Sequence, residues 1–486
     1  MLQESTYLSI ALLQINTNLC IALLQIIKIF CIFVAKINKM FRRNALNKLI
    51  DWKQKTNRKP LVLRGARQVG KTTLVNIFSE QFDNYLYLNL EKKQELQLFD
   101  NYTTIENLLE AMFFVKNKKQ KQGKTLIFID EIQNSPEAVA LLRYFYEETP
   151  ELYVISAGSL LETLINKKIN FPVGRVEYMR LHPVSFTEFL EAIHETQSLK
   201  LLEIEQFPEY GHGKLLSLFY KYTFIGGMPE VVQTYSKKRD LVALNSIYES
   251  LLTSYLDDAE KYARNSSISQ VIRHVIEKSF SNAGQRIKFQ NFGNSNYRSR
   301  EVGEAFRTIE KAMILQLIYP VTNFELPANV DFRKSPRLQV LDTGLLNYKA
   351  GLRQDIFGTN QLSDIQEGVI IEHVVGQELL ALNDSPLYKL NFWSREKKDA
   401  NSEVDFIYQY KNMLFPVEVK KEKTGRLRSL HEFVNRSPHE FAIRVYSGKL
   451  SIDYEKTVHG TPFKLLNLPF YLINKIEHYI DKLIAF

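Results

Sequence analysis

The residues best suited to chemistry lie in a glycine-rich stretch near the start of the chain. An apolar run from Pro60 to Leu63 precedes the segment GARQVGKT, which spans Gly65 to Thr72, and a stretch of helical character follows. Glycines let a loop backbone approach phosphates closely, and the amides at a helix N-terminus point toward them. Lys71 can reach the β- and γ-phosphates, and Thr72 offers a hydroxyl to Mg²⁺. The order strand, loop, helix therefore predicts a binding site for ATP with Mg²⁺.

A second group of candidate residues follows an apolar run from Leu126 to Ile129. Asp130 and Glu131 come directly after it, where a central parallel strand would end. Asp130 is predicted to bind Mg²⁺ through water, and Glu131 to polarise the attacking water. The alternative for two acids at a strand end is a solvated turn.

Three further side chains, two alternative serines and an arginine, are candidates for contact with the γ-phosphate. A third strand, Leu152 to Ser156, leads into Ala157-Gly158-Ser159. Ser159 or Ser156 would act as a γ-phosphate sensor, or equally as a helix cap. Arg175 follows in a loop and would neutralise transition-state charge, although a surface ion pair is the alternative. The residues predicted to contact the nucleotide are Gly65, Ala66, Arg67, Gln68, Val69, Gly70, Lys71, Thr72, Thr73, Asp130 and Ser159.

Near the other end of the chain, acidic residues and a lysine lie on two adjacent predicted strands. Asp405 belongs to the first strand, and Glu418 and Lys420 share one face of the second, because strand side chains alternate. Asp405 and Glu418 could share Mg²⁺ or Mn²⁺, with Glu372 from a preceding helix, while Lys420 activates water. This is the arrangement of a metal-dependent nuclease. An exposed hairpin with a charged face would give the same pattern.

Basic residues near these acids predict contact with nucleic acid. Lysines and arginines directly after Lys420 would bind phosphates; they are Lys421, Lys423, Arg426 and Arg428. An amphipathic segment from Ser299, followed by the strand Leu317-Ile-Tyr-Pro-Val, resembles the recognition helix and wing of a winged-helix domain. Its candidate DNA contacts are Arg298, Arg300 and Arg307. The net charge of +9 and the pI near 9.1 are a mild hint in the same direction.

The first forty residues carry no chemistry of their own. An apolar stretch from Leu19 to Ala35 is at the short limit for a membrane-spanning helix. The segment Ile10 to Cys20 and the next segment, Ile21 to Cys31, both begin with IALLQI and end in Cys, a direct repeat that favours translation of upstream repeat DNA over a membrane anchor. Met40 would then be the true start, followed by an amphipathic helix. The only cysteines, Cys20 and Cys31, exclude a disulfide framework and a thiolate-rich metal site.

These elements predict an α/β chain of several domains. Residues 40–190 would form a parallel-sheet P-loop ATPase domain, and residues 191–345 a helical lid with a winged-helix-like connector. Residues 346–486 would form a second α/β domain, and residues 1–39 an apolar segment outside the fold. At 486 residues the chain is too long for a single ordinary core.

The motifs together resemble a known group, the prokaryotic AAA-type ATPases that carry a C-terminal restriction-endonuclease-like domain of unknown function. The resemblance covers nearly everything after Met40. It rests on KPLVLRGARQVGKTTL from Lys59, LIFIDEIQ from Leu126, SAGSLLE from Ser156, PVGRVEYMRLHPVSFTEFL from Pro172, GGMPEVV from Gly226, LDTGLL from Leu341, and EVDF and PVEVK near the end. It implies ATP and Mg²⁺ binding by Gly65 to Thr72, with Asp130 and Glu131 in the second motif.

Two functions are compatible with this sequence. In the first, the chain hydrolyses ATP and acts on nucleic acid through the nuclease-like domain. In the second, ATP controls a regulatory switch that binds a protein partner, and the C-terminal fold is an inert scaffold. A cytoplasmic location is expected for either, with no membrane partner, and an oligomer is compatible with both.

Overall fold

The computed structural model describes residues 41–100, 104–158, 172, 174–204, 207–352, 364–397, 400–421 and 427–486 of the chain. Residues Arg43–Phe486 form one compact unit. The predicted apolar segment at residues 1–39 and the candidate Ser159 lie outside the described residues. Within the described part of the chain, no helix is both long and apolar enough to cross a lipid bilayer.

The first sheet is parallel throughout and has five strands in the order β2-β3-β4-β1-β5. Its strands are β1 (Leu61–Arg64), β2 (Asn84–Asn89), β3 (Thr125–Asp130), β4 (Tyr153–Gly158) and β5 (Glu177–Arg180). Every residue of β3 and of β4 is buried. A strand covered on both faces must be apolar throughout, which explains the continuous apolar runs of the sequence.

Helices surround this sheet and cover its apolar surfaces. They are α1 (Ala45–Gln54), α2 (Lys71–Phe78), α3 (Lys93–Leu96), α4 (Ile105–Val115), α5 (Pro136–Glu147) and α6 (Phe186–Ala192). The helix predicted after Met40 is confirmed as α1, which buries Leu49 and Trp52. Helix α5 begins with Ser135 as N-cap and a proline at its first position, a combination that favours helix initiation. This layered arrangement positions the ends of β1 and β3 at one edge of the sheet.

The middle of the chain is helical, as predicted, and is here called the connector (residues 207–352). Its helices are α8 (His212–Ile225), α9 (Pro229–Lys238), α10 (Asn245–Asp257), α11 (Ala259–Tyr262), α12 (Ser266–Ser279), α13 (Ser299–Lys311) and α14 (Thr343–Lys349); α7 (Thr196–Glu203) precedes it. Helix α13 buries one side, formed by Val302, Ala305, Phe306 and Ile309. The predicted DNA contacts Arg298, Arg300 and Arg307 are all exposed.

The second sheet is mixed and has eight strands in the order β12-β13-β11-β10-β9-β8-β6-β7. Its strands are β6 (Leu315–Val321), β7 (Arg337–Val340), β8 (Asn391–Lys397), β9 (Ala400–Tyr410), β10 (Met413–Lys420), β11 (Phe441–Tyr446), β12 (Ser451–Lys456) and β13 (Pro462–Pro469). The helices α15 (Asp364–Ala381), α16 (Arg428–Val434) and α17 (Ile476–Ala485) accompany it.

The domain limit predicted at residue 345 does not match this sheet. Strand β6, predicted as a wing, pairs in parallel with β8 through Tyr319 and Asn391, and β7 pairs with β6. The connector therefore contributes two strands to the C-terminal sheet. An apolar strand can pair with any exposed strand edge, so its sequence predicts a strand without identifying the neighbour.

Candidate functional site

The phosphate loop, Gly65 to Thr72, joins β1 to α2 as the sequence predicts. Gly70 has a φ of 92° and Gln68 a φ of 66°, so the loop turns through two left-handed residues before the helix starts at Lys71. A Cβ atom at Gly65 would lie 2.7 Å from the carbonyl oxygen of Leu181. Position 65 requires glycine because a side chain there would collide with Leu181. Position 70 favours glycine because its backbone is left-handed.

Lys71 is buried, with its side chain directed back over the loop. Its Nζ donates to the carbonyl oxygens of Gly65 and Ala66, each at 2.9 Å. Burial lowers the pKa of Lys71, while the charges of Glu131 and Asp130 oppose that shift. In the described part of the chain no carboxylate lies within ion-pair distance of this amine, which leaves its charge available to an anionic ligand.

Thr72 and Asp130 meet across the end of the sheet. The Thr72 hydroxyl donates to Asp130 Oδ2 at 2.7 Å, and the Tyr87 hydroxyl approaches the same oxygen at 3.3 Å. Burial raises the pKa of Asp130, and the bond from Thr72 opposes the rise. A hydroxyl and a carboxylate are hard oxygen donors of the kind Mg²⁺ prefers, so this pair fits the predicted ion.

Glu131 follows Asp130 in a left-handed conformation, with φ 53° and ψ 42°. Its Oε2 accepts a hydrogen bond of 2.5 Å from Nε2 of Gln133. The left-handed backbone turns the chain sharply after β3, which separates the directions of the two acidic side chains. Asp130 therefore contacts Thr72 while Glu131 is held by Gln133.

The other two candidates for γ-phosphate contact have different outcomes. Ser156 lies inside β4, is fully buried, and its Oγ has no hydrogen-bond partner in the described structure. Arg175 precedes β5 near Glu177, which is level with Leu61 at the beginning of β1. The phosphate loop follows the other end of β1, so the structure does not bring Arg175 to Lys71.

Arg175 instead takes part in an exposed ion pair. Its Nε lies 3.0 Å from Glu147 Oε1, and Arg143 binds the same carboxylate at 3.0 Å. The side chain of Arg175 is 44% exposed. A surface ion pair is the alternative that the sequence left open for Arg175. Its role in neutralising transition-state charge stays a prediction.

Arg43 contacts the phosphate loop although sequence analysis missed it. Its guanidinium donates to the carbonyl oxygens of Val69 at 3.2 Å and His182 at 2.7 Å, and to Glu188 at 3.1 Å. Glu188 also closes a capping box with Ser185 at the start of α6. The capping box was readable from the sequence, whereas the arginine has no local signal.

Asp258 is the second missed residue, and it reaches the loop from the connector. Arg67 Nη1 lies 2.6 and 2.7 Å from the two carboxylate oxygens of Asp258. The hydroxyl of Tyr255 donates to the Arg67 carbonyl oxygen at 3.1 Å. The connector therefore contacts both the side chain and the backbone of Arg67 in the phosphate loop.

The C-terminal sheet brings together the four residues predicted for the nuclease-like site. Asp405 Oδ2 accepts a hydrogen bond of 2.8 Å from the Val419 amide, and Lys420 Nζ lies 2.7 Å from Glu418 Oε1. Glu372 approaches from α15. The predicted proximity of β9, β10 and this helix is therefore observed.

An arginine from the connector lies among these carboxylates. Arg337 on β7 binds Glu372 and Glu403, each at 2.6 Å, and approaches Asp405 Oδ1 at 3.5 Å. Arg286 lies 2.6 Å from Glu403 on the other side. Arg337, Arg286 and Lys420 thus place three positive charges beside these carboxylates, and the metal site at Asp405, Glu418 and Glu372 stays a prediction.

Glu372, Glu403, Asp405 and Glu418 are here called the acid cluster, and burial shifts the pKa values of some of its members. Burial raises the pKa of Glu372 and of Glu418, the negative charge of Asp405 raises both further, and Arg337 opposes the rise. Burial alone would lower the pKa of Lys420, but Glu418 and Asp405 outweigh it, so this pKa is raised. In the chain as described, no three His, Cys, Asp or Glu side chains are arranged to hold a metal ion.

The basic residues beyond Lys420 are only partly visible. Lys421 pairs with Glu367 at 2.8 Å, and Arg428 begins α16. The predicted phosphate contacts Lys423 and Arg426 lie outside the described residues. The structure therefore leaves the phosphate-binding prediction for this segment open to experiment.

The parallel sheet, the phosphate loop and the two acids after β3 define the N-terminal part of the chain as an AAA-type P-loop ATPase domain. Residues 57–190 match the family model described as an AAA domain. Residues 216–356 and 367–466 match two domains of unknown function, DUF8612 and DUF4143. The winged-helix and restriction-endonuclease-like assignments remain predictions.

Among known proteins, the chain is similar to an uncharacterised protein of Haemophilus influenzae. The two are 24% identical over 346 residues, which cover 68% of this chain and 78% of the relative. The Walker-type ATPase of Pyrococcus abyssi is a structural neighbour with 14% identity, 64% and 96% coverage of the two chains, and a TM-score of 0.43. The Orc1 protein of Aeropyrum pernix in complex with DNA has 12% identity, 66% and 95% coverage, and a TM-score of 0.27.

Proposed function

We propose that this protein hydrolyses ATP and uses the energy as a switch that changes the state of its C-terminal domain. The observation that carries the proposal is the position of β5. Its last residue, Arg180, is level with Arg64 at the end of β1, and its amide donates to the Asp384 carbonyl oxygen at 2.7 Å. One strand thus contacts both the phosphate-loop strand and the C-terminal domain.

In this proposal the phosphate loop binds the triphosphate of ATP. The loop amides and Lys71 bind the β- and γ-phosphates, Thr72 and Asp130 hold Mg²⁺, and Glu131 orients and deprotonates water. Bound Mg²⁺ neutralises charge that develops on the phosphates. Lys71 exchanges its two loop carbonyls for phosphate oxygens, which a flexible side chain allows without movement of the backbone.

Glu131 requires release from Gln133 before it can act. The Gln133 amide occupies the Oε2 atom of Glu131, and a general base must be within hydrogen-bond reach of the water that it deprotonates. Turnover therefore includes a rearrangement of Gln133 at the end of β3.

The segment after β5 connects the phosphate loop to the C-terminal domain, so it could move when ATP binds. The ring of His182 lies 3.1 Å from the Asn383 carbonyl oxygen, and the Phe186 amide donates to Glu378 at 3.0 Å. Arg43 connects His182 and Glu188 to the phosphate loop. A shift of the loop on ATP binding would therefore move groups that hold α15.

The test of hydrolysis is Glu131→Gln in the full chain. The variant should retain ATP affinity and lose turnover by about 100-fold or more, because general-base catalysis contributes roughly that factor. Phosphate release and equilibrium binding of ATP are measured on the same preparation. The control is Glu137→Gln on α5, which should hydrolyse ATP normally. Full turnover by Glu131→Gln would remove Glu131 from this role.

The rival function is cleavage of nucleic acid by Asp405, Glu418, Lys420 and Glu372 with Mg²⁺ or Mn²⁺. The proximity of these side chains favours it, and the cations Arg337 and Arg286 favour a domain that binds without cutting. Supercoiled plasmid is incubated with Mn²⁺ and ATP, using wild type, Asp405→Asn, Lys420→Ala and the control Lys423→Ala. Nicking that is lost in Lys420→Ala and kept in Lys423→Ala would establish the nuclease. No nicking by the wild type would favour the switch.

A further inference from the structure

The ion pair between Arg67 and Asp258 joins the phosphate loop to the connector. One guanidinium nitrogen contacts both carboxylate oxygens, at 2.6 and 2.7 Å. The Asp258 side chain is only 6% exposed, whereas that of Arg67 is 35% exposed. The aspartate is therefore fixed in the connector, and the arginine is the partner that can move.

The charge of Arg67 also acts on the nucleotide site. Its pKa is raised by Asp258 and, more weakly, by Glu131, and its charge lowers the pKa of Lys71. Arg67 thus lies within electrostatic range of both the phosphate-binding lysine and the catalytic base. A polyphosphate bound at Lys71 would attract the same guanidinium, because charge-assisted bonds from arginine to phosphate are strong.

Asp258 has other partners that would remain if Arg67 left. Lys261 Nζ lies 3.1 Å from Asp258 Oδ1, and the Tyr262 hydroxyl lies 3.4 Å from Oδ2. A buried carboxylate left without any partner would be strongly unfavourable. With these two groups beside it, Asp258 can release the arginine without that penalty.

We propose that Asp258 competes with the phosphates of ATP for Arg67, so that nucleoside triphosphate binding detaches the connector from the phosphate loop. Arg67 is then a phosphate ligand in addition to Lys71, and Asp258 is the anion that competes with the phosphates for it. The inference rests on the proposed ATPase function and adds the contact through which the connector senses the nucleotide. By thermodynamic linkage, a change that strengthens the ion pair between Arg67 and Asp258 weakens ATP binding, and ATP binding weakens the ion pair by the same factor.

The test is a double-mutant cycle in the full chain with wild type, Asp258→Asn, Arg67→Gln and the double variant. Affinities for ATP and ADP with Mg²⁺ are measured by calorimetry. Asp258→Asn should bind ATP about tenfold more tightly than wild type, with a smaller gain for ADP, because the arginine no longer has a competing anion. The gain should vanish in the Arg67→Gln background. The matched control is Asp257→Asn, whose side chain is 66% exposed and which should bind ATP as wild type does.

A second measurement needs no substitution. Hydrogen exchange of the wild type should increase at the end of α10 and in α11 on addition of a non-hydrolysable ATP analogue, and less with ADP. Unchanged exchange there, or an effect of Asp258→Asn that is equal in both Arg67 backgrounds, would overturn the inference while ATP hydrolysis stands. Wild type that binds no ATP would overturn the proposed function and this inference together.

Discussion

The nucleotide site and the C-terminal acid cluster both bury charged side chains, but they compensate them differently. In the part of the chain that the structure describes, Lys71 has only carbonyl oxygens as partners, and the Thr72 hydroxyl donates to Asp130. In the acid cluster, Arg337 alone contacts three carboxylates. A buried cation with no carboxylate partner, such as Lys71, can bind an anionic ligand. The carboxylates of the acid cluster, in contrast, already have cations beside them.

The largest effect should follow removal of the counter-ion from the acid cluster. Arg337→Ala removes the arginine from the half-buried Glu372 and Asp405, while Glu403 keeps Arg286, so the free energy of unfolding should fall by about 3 kcal/mol. Urea unfolding followed by tryptophan fluorescence measures this. Arg333→Ala, which removes an arginine that is 91% exposed from the same segment, should change stability by less than about 0.5 kcal/mol. Similar losses in both would contradict the role of Arg337.

In the nucleotide site, removal of a cation should cost ligand affinity and little stability. Lys71→Ala should weaken ATP binding by about 100-fold or more, since a charge-assisted contact to phosphate is lost from a buried site. Titration with a fluorescent ATP analogue measures the affinity. Lys55→Ala, at the far end of the sheet beside Glu177, is the control and should bind normally. If Lys71→Ala lowered the free energy of unfolding as much as Arg337→Ala does, the proposed difference between the two sites would be wrong.

The stabilisation of the wild-type chain by ATP with Mg²⁺ and by Mn²⁺ alone should distinguish the nucleotide site from the acid cluster. ATP with Mg²⁺ at 100 times its dissociation constant should stabilise the chain by about 2.7 kcal/mol. Mn²⁺ without nucleotide should add less than about 0.5 kcal/mol, because Arg337 and Lys420 already neutralise the cluster. Thermal unfolding with and without a chelator provides the comparison. Strong stabilisation by Mn²⁺ alone would indicate a metal site after all.

The smallest effect is expected at Arg175. Arg175→Ala removes an exposed pair with Glu147 at the edge of the sheet away from the phosphate loop, so the turnover number should change by less than about twofold. Steady-state ATP hydrolysis by wild type and variant measures it, and Arg143→Ala, which loses the same partner, is the matched control. A large loss confined to Arg175→Ala would return this arginine to the catalytic site.

The features that the sequence predicted well are those encoded within a few residues. The phosphate loop and the acids after β3 are contiguous motifs, and strand alternation correctly placed Glu418 beside Lys420. The residues that were missed act over long separations. Asp258 is 191 residues from Arg67, and Arg337 lies 35 residues before Glu372. Neither has a local pattern, because an ion pair depends on how distant elements pack.

The same limit explains why the predicted domain boundary differs from the sheet and why Arg337 was missed. Leu315–Val321 was recognisable as a strand, but its partner β8 comes some 70 residues later and could not be identified from periodicity. Without that pairing, β7 and its Arg337 could not be placed beside the acids.

The membership of β6 and β7 in the C-terminal sheet determines where this chain can be divided for study. A fragment that begins at residue 346 would expose the unpaired edge of β8, a template for aggregation. It would also lack Arg337 and Arg286, and so present Glu372 and Glu403 with no counter-charge from the connector. An autonomously folding fragment must therefore start before Arg286, well inside the region that the sequence alone assigns to another domain.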